Sequence, residues 1–146
     1  MEIRVKKLYE DALLPTKGSV LAAGWDLYAH LRENEMLIIK PHETVKIGTG
    51  IAVAAPHGYF GGIAARSGLA TKQDLAPANK FGIVDEDYRG EVIVALHNHG
   101  DIERGIRNGD RIAQLIFIPY AVGELIETES LEDTERGEGG FGSSGV

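Results

Sequence analysis

Period-two alternation sets the tightest limit on what this chain can fold into. Val45, Ile47, Thr49, Ile51 and Val53 fall on one side of a run whose other side carries Lys46, Gly48, Gly50 and Ala52. Side chains that alternate in this way occupy opposite faces of a strand. Ile3 and Val5 repeat the pattern, as do Val92, Val94 and Leu96 against Glu91, Ile93 and Ala95. Turn residues punctuate the runs at Asn34, Pro41-His42, Pro56-His57-Gly58, Asn98-His99-Gly100-Asp101 and Asn108-Gly109-Asp110. Short strands at this spacing predict an all-β, jelly-roll-like barrel or sandwich. The Asn108-Gly109 pair between Ile106 and Ile112 reads as a hairpin turn, because both residues tolerate positive φ.

One segment reads as a short helix, Ser67 to Gln73, with Ser67 as its N-cap and no β-branched residue before Thr71. From Glu127 the composition changes to an acidic run followed by Gly-Glu-Gly-Gly-Phe-Gly-Ser-Ser-Gly-Val, which is almost free of aliphatic residues. Such a Gly-rich C-terminal tail builds no core and is expected to be flexible without a ligand. The expected organisation is one β domain over residues 1–126 and a tail over residues 127–146, with no internal repeat.

Composition excludes more than it selects. The chain's 146 residues suit one domain that buries roughly 70% of its unfolded surface. With no cysteine there is no disulfide and no thiolate metal site, which fits a reducing compartment. The apolar runs Val92 to Leu96 and Leu115 to Pro119 are far shorter than the roughly 20 residues of a membrane span. Met-Glu-Ile-Arg-Val-Lys-Lys lacks the apolar stretch of a signal peptide, so a cytoplasmic location is expected. A net charge of −7 argues against direct DNA or RNA binding, which depends on neutralising several phosphates. A single small phosphorylated ligand is still allowed, since a few arginines and a divalent metal reverse the potential locally.

Chemistry concentrates in a few segments. Asn79-Lys-Phe-Gly-Ile-Val-Asp85-Glu-Asp-Tyr88-Arg-Gly-Glu91 places a carboxylate and an aromatic ring three residues apart between two apolar runs. This pattern reads as a β-hairpin arm able to lend backbone groups to a ligand. By itself Asp-Glu-Asp is more commonly a solvated turn. Arg66, Ser67 and Gly68 stand where the short helix begins, and helix N-termini with an arginine suit anions. Asp26 sits on a strand between Trp25 and Leu27, where an exposed acid is the simpler reading. Gln114 interrupts an apolar strand, and a buried amide left without partners costs roughly 1–3 kcal/mol.

Taken together these segments resemble the five motifs of the trimeric deoxyuridine triphosphatases, in order and over nearly the full chain. The first is Ala23-Gly-Trp-Asp26-Leu-Tyr-Ala29. The second is Ala65-Arg66-Ser67-Gly68, with Ala65 where the family usually has proline. The third is Gly82-Ile-Val84-Asp85-Glu-Asp-Tyr88-Arg-Gly-Glu91, and the fourth is Gly109-Asp-Arg-Ile-Ala-Gln114-Leu-Ile116. The fifth is Arg136-Gly-Glu-Gly-Gly-Phe141-Gly142-Ser143-Ser144-Gly145, with Ser144 in place of the usual threonine.

The resemblance implies a jelly-roll homotrimer that converts dUTP to dUMP and pyrophosphate with Mg²⁺, at sites shared between subunits. It casts Asp85 as the general base for water attack at the α-phosphate. Arg66, Ser67, Gly68 and Gln114 would hold phosphates, and Arg136 would act like an arginine finger. Gly82 and Val84 would read the uracil through their backbone, helped by Asn79, while Tyr88 excludes a 2′-hydroxyl. Phe141, Gly142 and Ser143 would close over the nucleotide. No residue would ligate the metal directly, with Asp26 and Gln114 as candidates for its outer shell. Glu86, Asp87 and Arg89 receive no role beyond the turn.

Competing patterns fail. Gly137-x-Gly139-x-x-Gly142 matches a dinucleotide fingerprint in form, yet no strand and helix surround it and no acid follows about 20 residues later. The sequence contains no Gly-x-Ser-x-Gly nucleophile elbow. His97 and His99 share a strand face, but a polar strand end is the simpler reading. Deoxycytidine triphosphate deaminases share the implied fold and lack the Asp-x-Asp-Tyr-Arg-Gly-Glu segment. A nucleotide-binding module without turnover is the other alternative.

Overall fold

The alternating faces close on one another in the computed structural model, which describes residues 2–140. Among the described residues the strands are β1 (Arg4–Lys7), β2 (Trp25–Tyr28), β3 (Met36–Ile39), β4 (Thr44–Gly48), β5 (Ile51–Ala54) and β6 (Tyr59–Ala64), then α1 (Ser67–Gln73). After the helix come β7 (Leu75–Pro77), β8 (Gly82–Val84), β9 (Ile93–Asn98), β10 (Arg104–Arg107) and β11 (Arg111–Pro119). Every strand pairing is antiparallel. A four-stranded sheet in the order β2-β11-β6-β8 packs with a three-stranded sheet β4-β9-β7, and the ribbons β1-β5 and β10-β3 complete a jelly roll. The expected all-β fold with one short helix is what the chain adopts.

Leu27, Ile39, Ile47, Leu75, Leu96, Ile112 and Leu115 are fully buried between the sheets. Each lies on the apolar side of its strand. Each such side chain contributes roughly 1.5–3 kcal/mol on leaving water. The last strand ends at Pro119, and residues 120–140 contain no strand or helix. No helix among the described residues is long and apolar enough to cross a membrane.

Four local expectations are corrected. The alternating run through Val53 is not one strand, because Gly50 takes φ +68° and breaks it into β4 and β5. A side chain at Gly50 would also strike Ala12 and the His30 ring, so only glycine fits this corner. Buried Thr49 turns its hydroxyl to the Val92 carbonyl at 2.6 Å. At 108–109 the chain does turn, with Gly109 at φ +81°, but β10 pairs with β3 and β11 with β2 and β6. The turn is therefore an arch between sheets rather than a hairpin, and the Asn108 side chain accepts the Leu31 N–H at 2.9 Å.

The segment from Asn79 to Glu91 behaves likewise. Its arms do not pair with each other: β8 bonds β6, whereas β9 bonds β4 and β7. The cause lies at Val92, which exchanges backbone bonds with Thr49 and Ile51 and so leads the chain into the opposite sheet. Finally, Ser67 is the first helical residue and not the cap. Arg66 occupies the N-cap with extended φ −83° and ψ 126°, and no side chain caps the helix.

Candidate active site

Two groups of side chains stand out, one where β6 runs on into α1 and one along the neighbouring edge strand β8. The first gathers on the neighbouring strands β2 and β11 and on the start of α1. Arg66 Nε donates to Asp26 Oδ1 at 2.8 Å, and Arg111 Nη1 donates to Asp26 Oδ2 at 3.2 Å. Arg66 also reaches the Arg111 carbonyl at 3.4 Å. Gln114 lies opposite Asp26 in the strand register, and its Nε2 donates to the Ala65 carbonyl at 2.8 Å. That bond ties the residue preceding Arg66 to β11.

Two guanidiniums against one carboxylate leave this end of the sheet with a positive excess. Asp26 holds both in fixed orientation. The first-turn N–H groups of α1, at Ser67 and Gly68, have no intrahelical partner. Fixed cations with free N–H donors form a receptor for oxyanions.

Arg111 is the residue that sequence reasoning missed. Strict alternation puts positions 111 and 114 on opposite faces. A register shift between Arg111 and Ala113 brings them to the same side, with Ile112 and Ala113 both buried. The adjacent apolar pair between two polar residues is the trace of that bulge in the sequence.

The second group surrounds β8, which lies at the edge of its sheet and so keeps one row of backbone N–H and C=O groups free. Gly82 and Val84 are buried in the strand, and Asn79, Gly82, Val84 and Tyr88 line a small pocket of about 140 Å³. A side chain at position 82 would lie 3.1 Å from Asn79 Nδ2, so Asn79 sits directly on the glycine. Tyr88 is fixed by its hydroxyl bond to the Glu91 carbonyl at 3.0 Å and by its N–H on the Asp85 carbonyl at 3.1 Å.

Asp85 follows β8 directly and is exposed. It borders a wider cavity of about 600 Å³, together with His57, Phe60, Glu86 and Tyr120. Only the smaller pocket combines the β8 backbone with Asn79 and Tyr88, so it is the better receptor for a flat polar ring.

Within one chain Asp85 does not meet Arg66. Gly61 stands opposite Val84 and Ile63 opposite Gly82, which puts Asp85 level with Phe60. Arg66 lies six residues beyond Phe60, and at roughly 3.3 Å per residue the separation is about 20 Å. Arg136 bonds the Gly139 carbonyl at 2.8 Å, within the tail. Among the described residues no bond joins it to either group. Phe141, Gly142 and Ser143 lie outside the described residues.

His97 and His99 pack edge to face at 4.4 Å, and the His97 ring is bonded to the Thr44 hydroxyl at 2.8 Å. Burial, and then the charges of His99, His42 and Lys80, push the His97 ring below the usual imidazole range. Among the described residues no three His, Asp or Glu side chains are grouped to hold a metal ion.

Comparison with known proteins gives one consistent result. The dUTPase family model matches residues 10–145. Deoxyuridine 5′-triphosphate nucleotidohydrolase of Hydrogenobaculum sp. is 43% identical over 146 residues, covering 100% of this chain and 99% of the relative. The enzyme of the same name from Desulfitobacterium hafniense is 48% identical over 134 residues, covering 91% and 87%. The solved structure of Staphylococcus bacteriophage 80alpha dUTPase with dUPNHPP superposes with a TM-score of 0.89 at 30% identity, covering 99% of both chains.

Proposed function

This chain belongs to the dUTPase family and hydrolyses dUTP to dUMP, and from that premise we propose how its own residues divide the work. Asp85 is the general base. Its carboxylate takes a proton from a water as the water oxygen bonds to the α-phosphorus, and the bond to the leaving pyrophosphate breaks. Base catalysis of this kind is worth about 10²–10⁴-fold. The observation that carries the assignment is position: Asp85 is the first residue past the free-edged strand β8, whose Gly82 and Val84 line the pocket of Asn79 and Tyr88.

Uracil presents an N–H between two carbonyls, which is the complement of a free strand edge. Gly82 and Val84 supply that edge, and Asn79 adds a side-chain amide. Tyr88, held by its own hydroxyl bond, packs under the deoxyribose and leaves no room for a 2′-hydroxyl. Arg66, Ser67, Gly68 and Gln114 take the phosphates. Arg136 brings a further cation to the charge that develops on them, and Phe141, Gly142 and Ser143 close the site.

Mg²⁺ fits this arrangement as an ion carried by the triphosphate, since it keeps several waters and binds substrate phosphates readily. It supplies neutralisation of phosphate charge. The oxygens of Asp26 each accept one arginine bond and have lone pairs left for the ion's water shell. Gln114 uses its Nε2 on Ala65 and keeps Oε1 for the same purpose.

The active enzyme is a homotrimer with sites shared between subunits. The separation of about 20 Å between Asp85 and Arg66 along β6 supports this reading, because one phosphate cannot touch both within a chain. Residues 127–146 act as the tail that completes a site, and the cysteine-free composition supports a cytoplasmic setting. The protein acts on free dUTP and does not bind DNA or RNA directly, in keeping with its net charge of −7.

A panel of dUTP, dCTP, dTTP and UTP with Mg²⁺, scoring pyrophosphate and ammonia separately, tests the reading. Pyrophosphate from dUTP alone is expected. Ammonia from dCTP, or equal turnover of UTP, would overturn it.

A further inference from the structure

Glu86 carries the most heavily engaged carboxylate on the arm that bears Asp85. Its Oε2 accepts the Gly58 N–H at 2.8 Å and the Tyr120 hydroxyl at 3.0 Å, and its Oε1 is bonded to His57 Nδ1 at 2.9 Å. The partners come from the turn between β5 and β6 and from the residue after β11. Those two elements are already joined, since the Tyr120 N–H donates to the Gly58 carbonyl at 3.0 Å. Glu86 therefore docks the arm onto a platform that exists without it.

The backbone of the same residue is held from the other side. Arg89 Nη1 donates to the Glu86 carbonyl at 2.6 Å and to the Tyr88 carbonyl at 2.8 Å. Asp85, by contrast, makes no side-chain hydrogen bond or ion pair among the described residues and is exposed. Its location is set by its backbone, which joins β8 on one side to Glu86 on the other and accepts the Tyr88 N–H at 3.1 Å. Three quarters of the Glu86 side chain is covered, with 26% exposed, whereas His57 is 86% exposed. The carboxylate is thus better sheltered than its imidazole partner.

We propose that Glu86 is a positioning residue for catalysis, fixing Asp85 relative to β8 by docking the arm on Gly58, Tyr120 and His57. The inference rests on Asp85 being the base. The bond from His57, then those from the Gly58 N–H and Tyr120, hold the Glu86 carboxyl below the usual carboxylate range, so the docked form is the ionised one at neutral pH. A glutamine retains much of this chemistry, because its carbonyl oxygen can accept from Gly58 and Tyr120 while its amide donates to a neutral His57. An alanine retains none. The nucleoside pocket is built from Asn79, Gly82 and Val84 on the other side of β8 and does not depend on the Glu86 carboxylate.

The test compares full-length wild type with Glu86→Ala, Glu86→Gln, Tyr120→Phe and Asp85→Asn. It measures kcat and KM for dUTP, the Kd of its α,β-imido analogue and the melting temperature. Displacement of a reacting group by about 1 Å costs on the order of 10²-fold. Glu86→Ala should therefore lose about 10–100-fold in kcat while binding the analogue within about threefold of wild type, a difference of roughly 0.7 kcal/mol. Glu86→Gln should recover most of that loss, and Tyr120→Phe, which removes one bond of the dock, should fall between.

A kcat for Glu86→Ala within about twofold of wild type overturns the proposal, and so does a loss of turnover matched by an equal loss of analogue binding. If Glu86→Ala does not fold, Tyr120→Phe decides alone: a drop in kcat with unchanged analogue Kd supports the dock, and no drop overturns it. Wild-type turnover in Asp85→Asn removes the base and this inference together. An inactive Asp85→Asn beside a fully active Glu86→Ala removes the inference only.

Discussion

Asp26 and Arg66 are joined by a 2.8 Å hydrogen bond that reaches across β11, with 15% and 24% of their side chains exposed. Charge and orientation make opposite demands here. Removing the carboxylate makes the site more positive and favours phosphate on charge alone. It also releases Arg66 and Arg111 from the geometry that aims them. Preorganised donors are worth more in catalysis than mobile charge, so orientation prevails. Asp26→Ala should lower kcat/KM for dUTP by about 10–100-fold and reduce stability by about 1–3 kcal/mol. Asp26→Asn, which keeps an acceptor for Arg66, should lose less in both, as steady-state kinetics and thermal melts will report.

The Asp85 side chain is exposed and makes no hydrogen bond or ion pair among the described residues. Asp85→Asn should keep the melting temperature and the affinity for a non-hydrolysable dUTP analogue while losing about 10²–10⁴-fold in kcat. Turnover near wild type would remove Asp85 from the chemistry.

Leu131 is 89% exposed and Leu125 fully so, and Arg136 bonds only within the tail among the described residues. Deleting residues 132–146 should therefore abolish turnover with little change in melting temperature, because nothing described in that stretch belongs to the core. A drop of several degrees, measured by calorimetry, would show that the tail supports the fold.

The dock at Glu86 also predicts the shape of a stability profile. The native-state carboxyl lies below its usual 4.5, through the bonds from His57, Gly58 and Tyr120. Its contribution is present in full above that value and is lost as pH falls through the lower native one. Tyr120 is shifted the other way, raised above 10.0 by its bond to Glu86. Its contribution is present below 10.0 and is lost as pH rises through the raised value. The difference in melting temperature between wild type and Glu86→Ala should be flat across neutral pH and shrink at both extremes. A difference that stays constant to pH 3 would contradict the dock.

Much of this molecule is legible in its sequence, and the part that is not has a common cause. The buried positions Ile47, Val92, Val94 and Leu96 follow from alternation because side-chain direction is a local property of a strand. Pairing is not local. Asn108-Gly109 and the Asp85 turn both announce a change of direction, and both lead into a different sheet, with partners for the Asn108 side chain at Leu31 and for the Val92 backbone at Thr49 and Ile51. Arg111 was hidden by a one-residue bulge that shifts its face. Ser67 resembles a cap by type, yet the extended backbone falls one residue earlier, at Arg66. The motifs indicate which side chains act on the nucleotide, but the β6 register that parts Arg66 from Asp85 emerges only in three dimensions.

That parting has a genetic corollary. A copy carrying Arg66→Ala and a copy carrying Asp85→Asn are each defective in a different half-site, so each alone should be inert toward dUTP. Unfolded together and refolded as a mixture, the two mutants will form some junctions in which the sound Arg66 of one copy meets the sound Asp85 of another. Two dead proteins should then yield a partly living one, with activity appearing only after subunits have exchanged.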